Sequence, residues 1–258
     1  MTTPSFHIRP ASHGYTWIRD AFYLYWKHPL IWISFSLIIV VVGYGTGYLF
    51  GPVGAIVFQL ITPVLLGGWM LACNQLEHGR PADIRDIFSA FNTHYSGRLV
   101  TVGGIYMTGM LVVFWLPGLF DNDPMIQALV QAVHTNATNQ TATIAPFNLP
   151  FSPVALLVLL VTLALFTTIL MLYWFAPTLI VLNDMLPIAA MKLSFQTCKA
   201  NFAAFLFYGL LMVLMMILGS IPGLLGLLIV IPVGFLCYYT AWRDLFDDPE
   251  VISAAQRR

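Results

Sequence analysis

Long apolar runs alternate with short polar clusters along the whole chain. Uncharged stretches stand at 30–50, 52–74, 99–119, 154–182, 203–219 and 222–242. A helix crosses the roughly 30 Å hydrocarbon layer in about 20 residues. Each stretch therefore predicts one transmembrane helix, six in all. The fourth is long enough to tilt or to project beyond the bilayer. Phe50-Gly51-Pro52 separates the first two stretches, and Gly219-Ser220-Ile221-Pro222-Gly223 separates the last two. Both are turn sequences, so each pair predicts a helical hairpin.

Three further segments are amphipathic, and each leads into an apolar run. From Tyr15 to Lys27, Ile18, Phe22 and Tyr25 share one side. From Ala82 to Asn92, Ile84, Ile87, Phe88 and Phe91 fall on one helical face, with Asp83, Arg85, Asp86 and Ser89 on the other. Pro81 suits the first helical position, where its missing N–H costs nothing. From Pro187 to Asn201, Ile188, Met191, Phe195 and Cys198 form an apolar stripe against Lys192, Gln196 and Lys199.

Charge then sets orientation. No lysine or arginine occurs between Arg98 and Lys192. With six spans, all 11 basic residues fall on one side. They are Arg9, Arg19, Lys27, Arg80, Arg85, Arg98, Lys192, Lys199, Arg243, Arg257 and Arg258. The positive-inside rule makes that side cytoplasmic, with both termini inside. The amphipathic segments become three cytoplasmic interfacial helices, a collar around the bundle. The opposite side carries two short turns and one loop, about residues 120–152. That loop holds Asp121, Asp123, the segment Met125 to His134 and the polar run TNATNQTAT, where Asn136 and Asn139 open Asn-x-Thr sequons.

Composition agrees with a membrane class. The chain is 59% hydrophobic and 9% charged, with a mean hydropathy of +0.82; a soluble domain carries about 25% charged residues. A net charge of zero argues against nucleic acid as a partner. Residues 1–27 hold charges and aromatics and do not read as a secretory signal. Cys73, Cys198 and Cys237 have no metal spacing, and their odd count and apolar surroundings favour buried thiols over a disulfide framework.

Candidate chemistry is sparse. The spans as drawn contain no ionisable group, which coupled transporters and pumps normally place there. Their polar residues are mild, such as Gln59 and Thr62 beside Pro63, where capping of freed backbone groups is favoured over a substrate site. His7, His13, His28, His78, His94 and His134 form no HxxxH or HExxH pair, so no metal or cofactor is expected. Glu77-His78 reads as loop. Gly67-Gly68 and Gly103-Gly104 read as close helix contacts.

Two internal echoes stand out. Pro63, Pro177 and Pro232 each lie within the second apolar run of a pair, where a proline kinks the helix. The unit would then be interfacial helix, span and proline-bearing span, three times over; shared apolar composition is the competing explanation. The string Arg-Asp-x-Phe recurs at Arg19-Asp20-Ala21-Phe22, Arg85-Asp86-Ile87-Phe88 and Arg243-Asp244-Leu245-Phe246. Such motifs anchor a helix at the interface, the guanidinium toward phosphates and the ring toward acyl chains. Alternatively, the three converge with Lys192 and Lys199 on a headgroup or partner site.

Ala176-Pro177, Asp184, Pro187, Ala190, Lys192-Leu193-Ser194 and Asn201 resemble a segment of a family of uncharacterised six-span bacterial membrane proteins. His13-Gly14-Tyr15-Thr16-Trp17 through Pro29 resembles the start of that family. More distantly, the segment is similar to YciC-like proteins and to the membrane domain fused to some glycerophosphodiester phosphodiesterases. The resemblance implies a bacterial inner-membrane protein without an established activity; the phosphodiesterase catalytic domain is absent.

The expectation is one all-α, polytopic membrane domain over 1–258. It is not an enzyme but a scaffold or envelope-homeostasis protein. Its collar contacts membrane lipids, another membrane protein or a second copy of itself. The alternative, motivated by the three prolines and the repeat, is a transporter or channel for a neutral or lipidic substrate.

Overall fold

The computed structural model describes residues 4–120, 122–128, 131, 151–221 and 223–246. The expectations placed on Asp121, His134, Asn136, Asn139, Pro222, Arg257 and Arg258 lie outside the described residues. Regular structure among those described is helical throughout. In chain order come α1 (His13–Lys27), α2 (Pro29–Glu77), a 3-10 helix (Ile84–Asn92) and α3 (Tyr95–Trp115). Then follow α4 (Pro153–Tyr173), α5 (Ala176–Asn183), α6 (Pro187–Ala200), α7 (Phe202–Ser220) and α8 (Leu227–Phe246).

Five stretches are long and apolar enough to cross a membrane: Pro29–Glu77, Tyr95–Phe120, Pro153–Asn183, Phe202–Ser220 and Leu227–Phe246. The number differs from six because the first two apolar runs are joined in the 49-residue α2. A straight helix of that length would extend about 73 Å, far beyond a bilayer. α2 is not straight. Gly51 has φ +55° and ψ −135°, a conformation that only glycine adopts cheaply. A β-carbon on Gly54 would collide with the Thr46 carbonyl oxygen, and one on Gly43 would meet the Phe58 ring at 2.8 Å. Such pairs sit together only if the chain reverses between them. The sequence Phe50-Gly51-Pro52 therefore does make a turn, although the helical hydrogen-bond pattern continues on either side.

Two compact units make up the described chain. One is formed by the described parts of Met1–Ile105 and Met171–Arg258, the other by those of Tyr106–Leu170. In the smaller unit Asp123 accepts from the backbone N–H of Met125 and Ile126 at 2.9 and 3.4 Å and from the Ser152 hydroxyl at 2.5 Å. Ser152 Oγ in turn accepts from Ala155 N, capping α4. The Ser152 hydroxyl, followed by the backbone donors, holds the Asp123 carboxyl below its ordinary range. Met125 and Ile126 pack there with Ala155 and Val158.

The larger unit departs from the expected elements in three places. Ile84–Asn92 is a 3-10 helix starting three residues after Pro81, so Pro81 does not open it. Asp83 and Asp86 instead close a capping box. With i, i+3 side chains eclipsed, Ile87 and Ala90 are buried, while Ile84, Phe88 and Phe91 remain exposed. α6 buries Ala190, Met191, Leu193, Ser194, Thr197 and Cys198, whereas Ile188 is exposed. Its inward face is thus rotated toward the hydroxyls, for a reason given below. Finally, the fourth apolar run breaks at Trp174-Phe175, and Pro177 lies in the first turn of α5 rather than inside a span. Pro63 and Pro232 do lie inside α2 and α8, both buried. The three segments proposed as repeat units thus differ from one another in these ways.

Close backbone approach fixes the 3-10 helix. A β-carbon on Gly68 would run into the Ile87 carbonyl, backbone that cannot move aside. Gly68→Val is expected to lower stability by about 1–3 kcal/mol through overpacking. A melting curve in detergent checks this, with Gly45→Ala, which points into open space, as the control that does not lower the midpoint.

Candidate functional site

The polar residues of the larger unit gather where α1, α2 and α8 end or begin. α1 turns Trp17, Ile18, Ala21, Leu24 and Tyr25 inward, so the aliphatic face is broader than the expected Ile18, Phe22 and Tyr25. Phe22 is only half-buried. With the apolar face packed on the bundle, the first and third Arg-Asp-x-Phe motifs meet.

Arg243 is the junction. Its guanidinium reaches Asp20 Oδ2 at 3.0 Å and also Glu77 Oε1. Arg19 donates to the other oxygen of Asp20 through Nε at 3.0 Å and Nη2 at 2.8 Å. Tyr239 donates to Glu77 Oε2 at 2.7 Å. One turn of side chains thus ties α1, the end of α2 and α8.

Asp244, the next residue, faces the other way. It accepts from Trp17 Nε1 at 2.8 Å, pairs with Arg9 Nε at 3.2 Å and contacts His13 Nδ1 at 2.8 Å. The Asp244 carbonyl accepts Arg9 Nη2 at 2.9 Å. Arg9 belongs to an N-terminal strap that Asn201 pins. The Asn201 side chain, almost fully buried, accepts from Arg9 N at 2.7 Å and donates to the His7 and Thr197 carbonyls at 3.1 and 3.0 Å. His7 N closes the strap on the Leu245 carbonyl at 2.8 Å. Phe246 packs its ring on Phe175, centroids 5.4 Å apart.

A second cluster repairs the broken fourth run. Ser194 of α6 accepts from Phe175 N at 2.9 Å and donates to the Met171 carbonyl at 2.6 Å. One hydroxyl satisfies a donor and an acceptor that the break releases, which is why α6 turns Ser194 inward. Beyond α5, Asp184 takes the left-handed conformation, φ +53°, and receives Arg98 Nη1 at 2.7 Å and His94 Nε2 at 3.2 Å. The hydrogen bonds from His94 and then Arg98 hold the Asp184 carboxyl below the usual range. Trp242 Nε1 donates to Asn183 Oδ1 at 2.9 Å.

Of the three Arg-Asp-x-Phe motifs, the first and third meet, through Asp20 and Arg243, and the second stands apart. Asp86 is engaged in its own capping box, accepting from Asp83 N at 2.7 Å. Arg85 is exposed, and Phe88 pairs with Phe91 at 6.1 Å. Lys192 and Lys199 are exposed on α6; Lys192 borders an open cavity of ≈ 580 Å³ with Phe6 and Met185. Sequence reasoning missed Glu77, which ends α2 instead of starting a loop. It also missed Tyr239, Arg9 and Trp17. The usable signal was an acid just past the end of an apolar run, on the same predicted side as the basic residues. The three cysteines are free and buried, as expected. Burial pushes the Cys198 thiol up to about 12. Among the described residues no cluster of His, Cys, Asp or Glu could hold a metal ion.

The chain is 29% identical over 208 residues to a probable inner membrane protein of Burkholderia thailandensis, a match covering 78% of this chain and 72% of that protein. No family profile matches the chain, and no solved structure matches it. The similarity supports the inner-membrane part of the family resemblance; nothing in the comparisons carries the YciC-like or phosphodiesterase part.

Two measurements check these clusters. Ser194→Ala leaves a buried N–H and carbonyl unpaired and is expected to lower stability by about 1–3 kcal/mol; Thr167→Val, whose hydroxyl bonds only its own helix, stays within about 0.5 kcal/mol. Asp184→Asn tests the ion pair by pH. The folded-state pKa of Asp184 lies below its unfolded value. Its contribution is present above the ordinary carboxylate range and fades as pH falls through the lowered value. Melting between about pH 5 and pH 2 should show a shallower acid loss in the Asn variant, which also tolerates the left-handed backbone.

Proposed function

We propose that this protein is a non-enzymatic, six-pass inner-membrane scaffold with both termini in the cytoplasm, and that its cytoplasmic collar binds lipid headgroups. The supporting observation is a division of charge. Arg243 engages Asp20 and Glu77, and Arg9 engages Asp244, each across distant chain segments. Arg19, Lys27, Arg85, Lys192 and Lys199 stay exposed, beside the exposed Tyr23, Trp26 and Phe88. The inner set clamps helices together; the outer set is a basic and aromatic fringe of the kind that meets phosphates at an interface.

The reversal at Gly51 supports the six-pass reading, because it divides α2 into legs each exceeding the ~20 residues a crossing needs. The inner-membrane placement follows the similarity to the Burkholderia protein. The transporter reading has less support. A broken helix suits a substrate site when its freed backbone groups face a cavity, and here Ser194 occupies them.

For topology, a cysteine at position 136 is expected to react with an impermeant maleimide only from the periplasmic side; labelling from the cytoplasm alone refutes the six-pass arrangement. The three buried native thiols keep the background low. For the collar, replacing Arg85, Lys192 and Lys199 with glutamine is expected to reduce enrichment of anionic over zwitterionic lipid around the purified protein. At ~1 kcal/mol per base near a charged surface, the loss is about fivefold for each. An unchanged lipid ratio sinks the headgroup reading.

A further inference from the structure

A groove opens between α1 and α7. Tyr15, Ile18, Arg19 and Phe22 form the roof of a groove whose wall is Leu211, Leu214, Met215 and Leu218 of α7, enclosing ≈ 380 Å³. From the groove's eight lining residues we infer that it seats one glycerophospholipid, with an acyl chain along α7 and the phosphodiester on Arg19. The inference deepens the headgroup reading above by naming one lipid position within the collar.

Three observations choose this occupant. First, the wall residues lie in the stretch Phe202–Ser220, apolar and long enough to cross a membrane. Leu214 and Leu218 are exposed, so what meets them in a membrane is hydrocarbon. They recur every three or four residues along α7, and so line a slot along the helix rather than a patch across it. A linear chain fits such a slot. Second, seven of the eight lining residues are apolar or aromatic, and the single charge is a cation. An apolar trough with one guanidinium at its edge complements a molecule with one phosphate and a long tail. Third, Arg19 retains donors. Its Nε and Nη2 engage Asp20, but Asp20 is also held by Arg243. Its guanidinium is mostly exposed, 61%, which leaves Nη1 to meet a phosphate. Tyr15 and Tyr23, exposed on the same helix, and Trp26 beside them place aromatic rings at headgroup depth.

The clamp survives without Arg19, because Arg243 alone bridges Asp20 and Glu77. Arg19→Gln therefore tests lipid contact without unpicking the collar. Leu214→Trp fills the slot from an already exposed position.

The experiment uses the full chain in phosphatidylethanolamine nanodiscs doped with phosphatidylglycerol that carries a diazirine on one acyl chain. After illumination, labelled peptides are mapped by mass spectrometry. Labelling is expected to concentrate at 211–218 and 15–22, to be competed by unlabelled phosphatidylglycerol, and to fall about tenfold in Arg19→Gln, the loss of one charge-assisted hydrogen bond. Leu214→Trp should abolish it. The Arg85, Lys192 and Lys199 triple variant should leave it intact, so failure of the wider headgroup reading and failure of this site are separable. Labelling spread evenly over all apolar helices, or indifferent to both groove variants, overturns the proposal. So does a cross-link at these residues to a second copy of the chain, which would make the groove a subunit contact.

Discussion

In a bilayer, an apolar side chain gains little by leaving lipid for another helix, since both are hydrocarbon. The helices of this chain are nearly all apolar outside and in. What pairs them specifically is the small set of groups that lipid cannot satisfy. Arg243 is the most consequential of these, because one guanidinium joins the start of the chain at Asp20, its first long helix at Glu77 and its last helix at its own backbone. Removing Arg243 would leave both carboxylates without this shared partner. The geometry of α1, and with it the groove along α7, depends on that junction.

Elsewhere the same constraint is met by single side chains placed against backbone. Ser194 satisfies the two peptide groups released at Met171 and Phe175, and Asn201 holds two carbonyls and an N–H at once. These contacts give the recognisable residues Ser194 and Asn201 of the segment Ala176 to Asn201 a structural role. Ala176 and Ala190 are fully buried. Asp184 sits where a left-handed turn must end α5. The motif is a folding instruction.

Much of this was legible in the sequence. Runs of uncharged residues located the apolar helices, since membrane length and helical rise leave little choice. The turn at Gly51 was legible because glycine and proline are adjacent there. The polar faces were less so. A 3.6-residue period put Ile84, Ile87, Phe88 and Phe91 on one helical face, and in the 3-10 winding of that segment Ile87 is the one of the four that is buried. For α6 the apolar stripe suggested Ile188, while the need to cap a broken neighbour turned Ser194 and Thr197 inward instead. That need is invisible locally, as it arises 20 residues upstream. The pairing of Arg243 with Glu77 spans more than 160 positions, and no local pattern encodes it.

The strap at the N-terminus has a consequence for biosynthesis. His7 and Arg9 find their partners on Asn201, Asp244 and Leu245. Chains are made N-terminus first at about 5–20 residues per second. The strap therefore waits roughly ten to fifty seconds after its own synthesis before the last of its acceptors exists. During that interval α1 has neither Thr240 nor Asp244 to hold Trp17. Closure of the collar is thus a late event that reports completion of the last helix, and a chain arrested before Asp244 would present its first helix unclamped to whatever surveys the membrane surface.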